Sequence, residues 1–450
     1  MNHPLRRLFA VLPAALTASA PAQQPSAAPP DRYTLIRCGT VLPIPGNDPV
    51  KNTTIVVKNG LIDRLSPGFD GPDLSEARQH GAKIDEINLR ESFILPGLID
   101  CHVHLTNEWD QTVRARYTTE TPEFVALRAS VYARKTLDAG FTTVRDLGAN
   151  EPTTILALRD SINQGLIVGP RILAAGHWIA MTGGHGDFTL GFRQDLIPQP
   201  GPEQGIADGP DACMKAVRGQ IKLGADCIKL TATGGVLSAS TAGLAQHFTQ
   251  EELNTIVATA HSLGRKAAAH AHGVDGINAA LRAGVDSIEH ATYLNDESIK
   301  LFKEHGAYHV PTLLAAATVG ENARKPGFYL PMVAQKALLV EHKAMEGLRR
   351  SHAAGVRIAF GTDTGVSPHG QNAREFALMV QAGLTPMETI VAATVTASEL
   401  LGLSAEVGTL EPGKAADVVA VKGDPLKDVT EFERVAFVMR GGKVYKQTPP

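Results

Sequence analysis

Hydrophobic and polar residues follow two different patterns along this chain, and the patterns divide it into three stretches. Near both ends, short apolar runs are separated by turn signals, as in residues 56–62 with the sequence VVKNGLI. An Asn-Gly pair between two apolar runs is a strong signal for a β-hairpin. We therefore predict a small β-sandwich domain built from both terminal segments, residues 33–92 plus 410–450.

The long middle stretch, residues 93–409, alternates strand-like and helix-like segments. Apolar runs predict the strands, and periodicity or composition predicts helices such as 122–139, 250–263 and 386–401. Thr249 and Glu252 form a capping box at the start of the second of these helices. Eight strand–helix repeats are typical of the α/β class with a (β/α)8 TIM-like barrel. The predicted strands cover residues 93–104, 141–146, 171–176, 226–231, 266–271, 285–289, 307–311 and 357–362.

The N-terminus has the order of an export signal. Arg6 and Arg7 precede an apolar stretch and then an Ala-Pro-Ala site at residues 20–22. We predict a signal peptide over 1–22, a disordered linker over 23–32 and a periplasmic or secreted mature protein; the sequence does not distinguish Sec from twin-arginine export. No segment is apolar for long enough to span a bilayer, so we expect no membrane attachment after removal of the signal.

Composition argues against one class of function, nucleic-acid binding, and indicates an ordinary globular protein. The formal net charge is −3, with 43% hydrophobic and 20% charged residues, which is ordinary globular composition. No basic patch or arginine run indicates nucleic-acid binding. The cysteines have no paired spacing, and we predict that all four are small buried hydrophobic residues. They are Cys38, Cys101, Cys213 and Cys227.

His102 and His104 are the first sign of chemistry. They close the apolar run that we predict as the first barrel strand. Residues two apart on a strand point to the same side, so the two imidazoles converge. Converging imidazoles are how a protein offers a metal ion its first nitrogen ligands. Two hydrogen-bonded histidines in a turn are the alternative interpretation.

Polar residues at other predicted strand ends extend this pattern, because the carboxyl ends of barrel strands meet at one rim. Strand four carries a lysine, strands five and six end in histidines, and strand eight ends in an aspartate. Alone, each has a structural explanation, such as a packed histidine or a helix cap. Together they favour a divalent metal such as zinc, manganese or cobalt. The residues are Lys229, His270, His272, His290 and Asp363.

Lys229 adds a second feature to this site. It lies within the apolar run CIKL, where burial favours the neutral amine over the ammonium ion. A neutral amine can react with carbon dioxide and form a carbamate able to bridge two metal ions. A lysine that snorkels to water or pairs with an acid is the alternative.

The order of these residues resembles the binuclear signature of the amidohydrolase superfamily, and the resemblance covers about residues 33 to 445. Shorter motifs resemble one subgroup, the prolidase-like and carboxypeptidase-like amidohydrolases together with the ochratoxin-hydrolysing enzymes. These motifs are LPGLID at 95–100, GGHG at 183–186, AHAHG at 269–273, SIEH at 287–290 and GKAAD at 413–417.

The resemblance implies two divalent metal ions, which we expect to be zinc. One ion would be held by His102, His104 and Asp363, the second by His270 and His290, with N6-carboxylated Lys229 bridging them. We interpret the chain as a hydrolase that releases an amino acid from a dipeptide, an N-acyl amino acid or an ochratoxin-like amide. A hydroxide shared by the two metals attacks the amide. Asp363 carries the proton to the leaving nitrogen and His272 polarises the carbonyl.

Residues that contact the substrate are harder to predict. His272 lies on the same strand face as His270, and His185 lies in a glycine-rich loop. Tyr293 is another candidate, as is the aromatic residue Trp178. Many relatives carry a Gln-Tyr-type pair where substrate carboxylate recognition is expected, whereas this chain has Gln-His-Phe at 246–248, which makes His247 a candidate.

Two other functions remain open at this point. A mononuclear cyclic-amide hydrolase or deaminase resembling imidazolonepropionase does not need the strand-four lysine, so Lys229 argues against it. An exported binding protein that has lost its chemistry would not need every ligand type and Asp363. We expect a small-molecule amide or dipeptide as the substrate, and a homo-oligomer is compatible with the sequence.

Overall fold

The computed structural model describes residues 30–448, apart from 194, 196, 198 and 239–242. The predicted signal peptide and most of the predicted linker lie outside the described residues. Within the described part, no helix is long and apolar enough to cross a membrane.

The described residues form sixteen strands. They are β1 (Arg32–Val41), β2 (Val50–Lys58), β3 (Leu61–Pro67), β4 (Lys83–Pro96), β5 (Leu98–Val103), β6 (Phe141–Asp146), β7 (Arg171–Ala174), β8 (Trp178–Ile179), β9 (Cys227–Thr231), β10 (Lys266–Ala271), β11 (Ser287–His290), β12 (Tyr308–Val310), β13 (Arg357–Ile358), β14 (Val418–Val421), β15 (Phe437–Arg440) and β16 (Lys443–Gln447).

The α-helices lie mostly between the strands of the middle stretch. They are α1 (Ser75–Gln79), α2 (Val113–Thr119), α3 (Pro122–Asp138), α4 (Pro152–Asn163), α5 (Pro210–Leu223), α6 (Gln250–Ser262), α7 (Val274–Arg282), α8 (Asp296–His305), α9 (Leu313–Ala323), α10 (Pro331–Ala353), α11 (Arg374–Gln381), α12 (Pro386–Ala392) and α13 (Val395–Leu401). Short 3-10 helices cover Pro202–Gln204 and Val429–Arg434.

Strands from both ends of the chain form one seven-stranded sheet with the order β16-β15-β14-β4-β1-β2-β3. β2 and β3 are antiparallel, and they are joined at Asn59 and Gly60, which both have positive φ, 49° and 88°. Two successive positive φ values are what a tight hairpin turn requires, which explains the Asn-Gly pair. The two-layer packing of a sandwich stays a prediction.

The middle stretch forms two parallel sheets, β5-β6-β7 and β13-β12-β11-β10-β9-β8. Backbone hydrogen bonds join them at both junctions: Cys101 N donates to Phe360 O at 2.9 Å, and Asp226 N donates to Ala174 O at 2.8 Å. Helices alternate with these strands, which makes the stretch an α/β fold. The carboxyl ends of its parallel strands therefore lie at one edge, where the polar residues were expected.

Two predicted elements are divided in the structure. The strand expected over 93–104 breaks at Gly97, so β4 ends in the terminal sheet and β5 begins the first parallel sheet. A side chain at Gly97 would meet Thr142, because its Cβ would lie 2.1 Å from the Thr142 Oγ1. The helix expected over 386–401 is interrupted at Thr394, where φ −135° and ψ −83° leave the helical region.

Two local predictions are confirmed. The Thr249 side chain accepts a hydrogen bond from Glu252 N, and the Glu252 carboxylate accepts one from Thr249 N, at 3.3 and 2.7 Å. All four cysteines lie in the described part of the chain, where they are buried and form no disulfide.

Candidate metal centre

The first histidine pair meets an aspartate from the opposite end of the middle stretch. His102 lies near the end of β5 and His104 follows it. Asp363 N donates to His102 O and His104 N donates to Thr364 O, both at 2.7 Å, so the two strand ends are locked together. Asp363 Oδ1 lies 3.4 Å from His102 Nε2 and 3.2 Å from His104 Nε2. One carboxylate oxygen thus faces both imidazoles.

The second histidine group comes from the next strands. His270 and His272 lie at and just beyond the end of β10, and His290 ends β11. The three ring centroids lie 4.6 to 4.7 Å apart in every pairing. One ligand atom from each of these histidines lies within 4.8 Å of the others, and the same holds for His102, His290 and Asp363. The two groups share His290.

Lys229 projects from β9 between these groups. Its side chain is buried, and Nζ lies 3.5 Å from His102 Nε2. Burial lowers the pKa of Lys229 to about 8, so a fraction of the amine is neutral near physiological pH. All six ligands predicted from the sequence line one cavity of about 350 Å³, together with His272.

The donor set fits divalent metal ions. Burial holds the pKa values of His102, His270 and His290 well below their usual range, and that of His272 at about 3, so these imidazoles are neutral. Neutral imidazole is the form that binds metal. Asp363 Oδ1 is buried and accepts no hydrogen bond among the described residues. Imidazole nitrogens and carboxylate oxygens without a thiolate match zinc, manganese or cobalt.

The remaining ring nitrogens of several histidines are held from outside the cluster. His104 Nδ1 donates to Gly148 O at 2.8 Å. His290 Nδ1 lies 2.6 Å from Thr312 Oγ1, and His272 Nδ1 lies 2.7 Å from Thr292 Oγ1. Such contacts fix the ring orientation and leave Nε2 for the site, as is usual for histidines that bind metal.

His102 has a charged partner that the sequence analysis missed. Its Nδ1 lies 3.0 Å from Glu289 Oε2, and Glu289 is fully buried. Arg145 from β6 donates to Glu289 Oε1 at 3.0 Å, and Ser287 Oγ donates to the same oxygen at 2.5 Å. A fully buried carboxylate needs such partners. The signal available in the sequence was a pair of opposite charges, Arg145 and Glu289, within apolar strands.

Backbone strain explains why Glu289 was missed. Neighbouring strand residues normally point to opposite sides, so only one of Glu289 and His290 should face the centre. His290 has φ 75°, which breaks the alternation and turns both side chains toward His102. Thr312 and Asp363 also have positive φ, 51° and 55°. Strained non-glycine residues of this kind cluster at functional sites.

His185 and Trp178 line the same cavity. The His185 ring centroid lies 4.2 Å from that of His270, and His185 Nδ1 lies 3.1 Å from Ser238 Oγ. Gly235 makes this packing possible, because a Cβ there would lie 2.4 Å from the His185 ring. His185 therefore lies beside the second histidine group on the wall of the same cavity.

The two other predicted substrate contacts, Tyr293 and His247, stay predictions. Tyr293 lines a separate cavity of about 150 Å³ with Lys343 and Arg350. The strand has already ended at His290, so strand alternation no longer determines where Tyr293 points. His247 packs against two glycines, because its ring atoms lie 3.0 and 3.4 Å from the positions that a Cβ of Gly184 and of Gly234 would take. Neither residue is part of the described lining of the main cavity.

Comparison with known proteins agrees with this geometry. The model of the amidohydrolase family matches residues 93–445. The chain belongs to this family. An ochratoxinase from Aspergillus niger is 34% identical over 439 residues, which cover 92% of this chain and 87% of that protein. The chain is thus a hydrolase that acts on amide bonds.

Solved structures are also similar to this amidohydrolase. A Xaa-Pro dipeptidase with methionine bound in its active site is 39% identical, with a TM-score of 0.86 over 92% of this chain and 100% of that one. A prolidase complexed with N-methylphosphonate-L-proline is 30% identical, with a TM-score of 0.81 over 92% of this chain and 100% of that one.

Proposed function

We propose that this amidohydrolase releases an amino acid by cleaving the amide that joins its nitrogen to an acyl group or to another residue. The observation that carries the proposal is the convergence of His102, His104, Lys229, His270, His290 and Asp363 on one cavity. The ochratoxinase and Xaa-Pro dipeptidase relatives support dipeptides, N-acyl amino acids and ochratoxin-like amides as substrate classes. Hydrogen bonds at both junctions of the parallel sheets support the (β/α)8 barrel as the scaffold.

The residues present would hold two divalent ions, for which we propose zinc. His102, His104 and Asp363 would hold one, and His270 and His290 the other. Lys229, once carboxylated, would be shared between them. When bound, the two ions supply an activated water and polarise the substrate carbonyl.

Carboxylation of Lys229 follows from its surroundings. The neutral amine attacks the carbon of carbon dioxide, a proton leaves Nζ, and a carbamate with one negative charge remains. This charge would lie near the neutral imidazoles of His102, His270 and His290 and near two carboxylates, Asp363 and Glu289. Cations bound by these same residues would offset the repulsion between the anions. The carbamate would give the second histidine group the anionic ligand that it otherwise lacks.

Asp363 is the group that moves the proton. The two neighbouring imidazoles outweigh the effect of burial and hold its pKa below the usual range, so the carboxylate is ionised before reaction. Its Oδ1, free of hydrogen bonds within the described part, accepts a proton from the attacking water and returns it to the leaving nitrogen.

His272 orients and polarises the substrate carbonyl. Its pKa of about 3 keeps the ring neutral, so only one ring nitrogen carries a proton. When Nδ1 accepts a hydrogen bond from the Thr292 hydroxyl, the ring proton is on Nε2, which can donate a hydrogen bond toward the cavity. Such a donor stabilises the negative charge that develops on the carbonyl oxygen.

Product identity tests the proposal. Metal-loaded protein is incubated with N-acyl amino acids, Xaa-Pro dipeptides and ochratoxin-like amides, with Asp363→Asn as the inactive control. We expect a free amino acid and a new carboxylate on the acyl partner. Ammonia with a deaminated ring, or a ring-opened single product, would favour the alternative resembling imidazolonepropionase. Bound metal without turnover of any substrate would favour the binding protein.

Export is a separate proposal that rests on residues 1–22 alone. We propose removal of this segment in the native host, followed by release into the periplasm or medium. Sequencing the N-terminus of the protein recovered from these compartments tests it, and an intact Met1 would contradict it.

A further inference from the structure

Several elements contribute to the lining of the main cavity, and one part of it is apolar. This part is formed by α9, α10 and the loop that precedes the undescribed residues 239–242. We call it the α9–α10 wall. Its side chains are apolar, and most are small. They are Val236, Ala315, Ala316, Val319, Val340 and Ala344.

The α9–α10 wall begins directly beside the metal centre. Thr312, whose hydroxyl contacts His290, is followed by the first residue of α9. Ala316 lies four residues further along, which is roughly 6 Å of helix rise. A group attached to a carbon that reacts at the histidine cluster therefore reaches this wall.

The wall is held in place by polar groups outside it. Glu375 accepts hydrogen bonds from Leu313 N and Leu314 N at 2.9 and 2.6 Å and so caps α9. Lys336 of α10 donates to Gly235 O and Ser238 O at 2.9 and 2.7 Å. These bonds hold the loop that carries Val236 against α10, so the wall is already formed before substrate binds.

Arginines of α2 and α3 also line the cavity, and one of them forms no ion pair among the described residues. Arg116 pairs with Asp110 at 2.6 Å, and Arg128 pairs with Glu120. Arg114 forms no ion pair within the described residues, which include every Asp and Glu of the chain. It donates to Leu190 O and lies over the Phe192 ring, 5.1 Å from the centroid. Its charge therefore lacks an anionic partner.

We infer that the substrate is an N-acyl amino acid with a bulky apolar acyl group on the α9–α10 wall and a free carboxylate at Arg114. The inference rests on the proposed function and narrows its substrate class. An apolar group on this wall displaces water from an apolar surface, whereas a charged acyl group would lose hydrogen bonds there. A guanidinium pairs with a carboxylate through two parallel hydrogen bonds, which also fixes the orientation of the scissile amide.

Filling the wall tests the acyl half of the inference. Ala316→Phe is compared with Ala317→Phe, a neighbour on the same helix that is outside the lining. The substrates are N-(2-naphthoyl)-L-phenylalanine and N-acetyl-L-phenylalanine. We expect kcat/KM of Ala316→Phe to fall about 10-fold or more for the naphthoyl substrate and to change little for the acetyl substrate. Equal losses of kcat/KM on both substrates would overturn the acyl half of the inference, and so would a wild-type preference for the acetyl substrate.

Removing the unpaired charge tests the carboxylate half. Arg114→Met is compared with Arg193→Met, which removes a surface arginine paired with Asp195. We expect Arg114→Met to raise KM about 10-fold or more for N-(2-naphthoyl)-L-phenylalanine and to leave KM for its C-terminal carboxamide unchanged. The same change for acid and carboxamide would contradict a role in carboxylate binding.

Binding measurements separate this inference from the proposed function. Fluorescence titration of N-(2-naphthoyl)-L-phenylalanine into metal-loaded wild type and the two variants needs no turnover. Weaker binding by both variants, but not by their controls, supports the two subsites even if no amide is cleaved. If the protein cleaves many amides and neither variant changes binding or kinetics, the proposed function stands and the two subsites are overturned.

Discussion

The two His-x-His pairs of this amidohydrolase have the same spacing but different surroundings. His102 and His104 face carboxylates, with Glu289 3.0 Å from one ring and Asp363 within 3.4 Å of both. Among the described residues, the ring nitrogens of His270 and His272 have uncharged hydrogen-bond partners, Gly234 O at 3.4 Å and the Thr292 hydroxyl at 2.7 Å. The spacing directs both members of each pair into the cavity, whereas neighbouring charge decides their chemistry.

The pKa values show this difference at one member of the first pair. Burial holds the pKa of His102 well below its usual range, whereas at His104 the Asp363 carboxylate, 3.2 Å from Nε2, outweighs burial and raises the pKa. His270 has no such partner and its pKa stays well below the usual range. In the proposed centre the first pair has its anion built into the fold, whereas the second pair would depend on a carbamate formed on Lys229. Four predictions test this contrast.

Asp363→Asn should have the largest effect, because in the proposed mechanism Asp363 both contributes to the first metal site and moves the proton. The amide keeps the shape but cannot accept a proton, so turnover should fall by roughly 10²–10⁴-fold while substrate still binds. The measurements are kcat and substrate affinity, and Asp195→Asn at the surface is the matched control. An Asp363→Asn enzyme within about twofold of wild type would rule out Asp363 as the proton carrier.

Lys229→Ala should affect the second pair most. We expect about one metal ion per chain instead of two and a loss of roughly 10²-fold in kcat, because the bridging anion is missing. A short carboxylic acid such as formate or propionate should restore part of the activity. The control is Lys266→Ala. Lys266 lies on the adjacent strand, and its amine donates a hydrogen bond to Glu399 O. Full activity of Lys229→Ala without added acid would contradict the contrast between the pairs.

Glu289→Gln and Thr292→Val each remove one side-chain contact of a His-x-His pair. Glu289 lies against His102 of the first pair, and Thr292 lies against His272 of the second. Replacing the charged partner of His102 should weaken metal binding roughly 10–100-fold, as measured by competition with a chelator. Replacing the Thr292 hydroxyl removes one neutral hydrogen bond and should reduce kcat by about 5-fold with little effect on metal affinity. Thermal unfolding of the metal-loaded variants separates these effects from misfolding. If Thr292→Val weakened metal binding more than Glu289→Gln, charge would not be what distinguishes the two pairs.

The smallest effect concerns stability and pH in metal-free protein. Burial lowers the pKa of Lys229 from 10.5 to about 8, so between these values the unfolded chain holds a proton that the folded protein lacks. The free energy of unfolding of wild type should therefore rise relative to that of Lys229→Met as the pH increases from about 8 to about 10.5. Denaturant titration in buffer free of carbon dioxide measures this, and a constant difference would refute the lowered pKa.

Much of this contrast could be predicted from the sequence, because strand alternation is a local property. The spacing of His102 and His104, and of His270 and His272, was enough to place each pair on one side of a strand. Alternation failed at His290, whose positive φ brings Glu289 into the centre, and it predicts nothing beyond the end of that strand, where Tyr293 lines a separate cavity.

Features that depend on tertiary contacts were not predictable. The Pro96-Gly97 pair is a local signal for a break in the strand, but it does not show that the chain passes there from one sheet to another or that Thr142 leaves no room for a side chain. The role inferred for Arg114 depends on which acids pair with Arg116 and Arg128. Pairing choices of this kind are set by the packing of helices and loops rather than by residue spacing.

The metal content of active wild-type protein, measured on the same sample as its amidase turnover, tests the central claim most directly. We expect a value close to two divalent ions per chain, with full activity reached only near that value. Full turnover with one ion per chain would contradict the binuclear centre and the role of Lys229 in it.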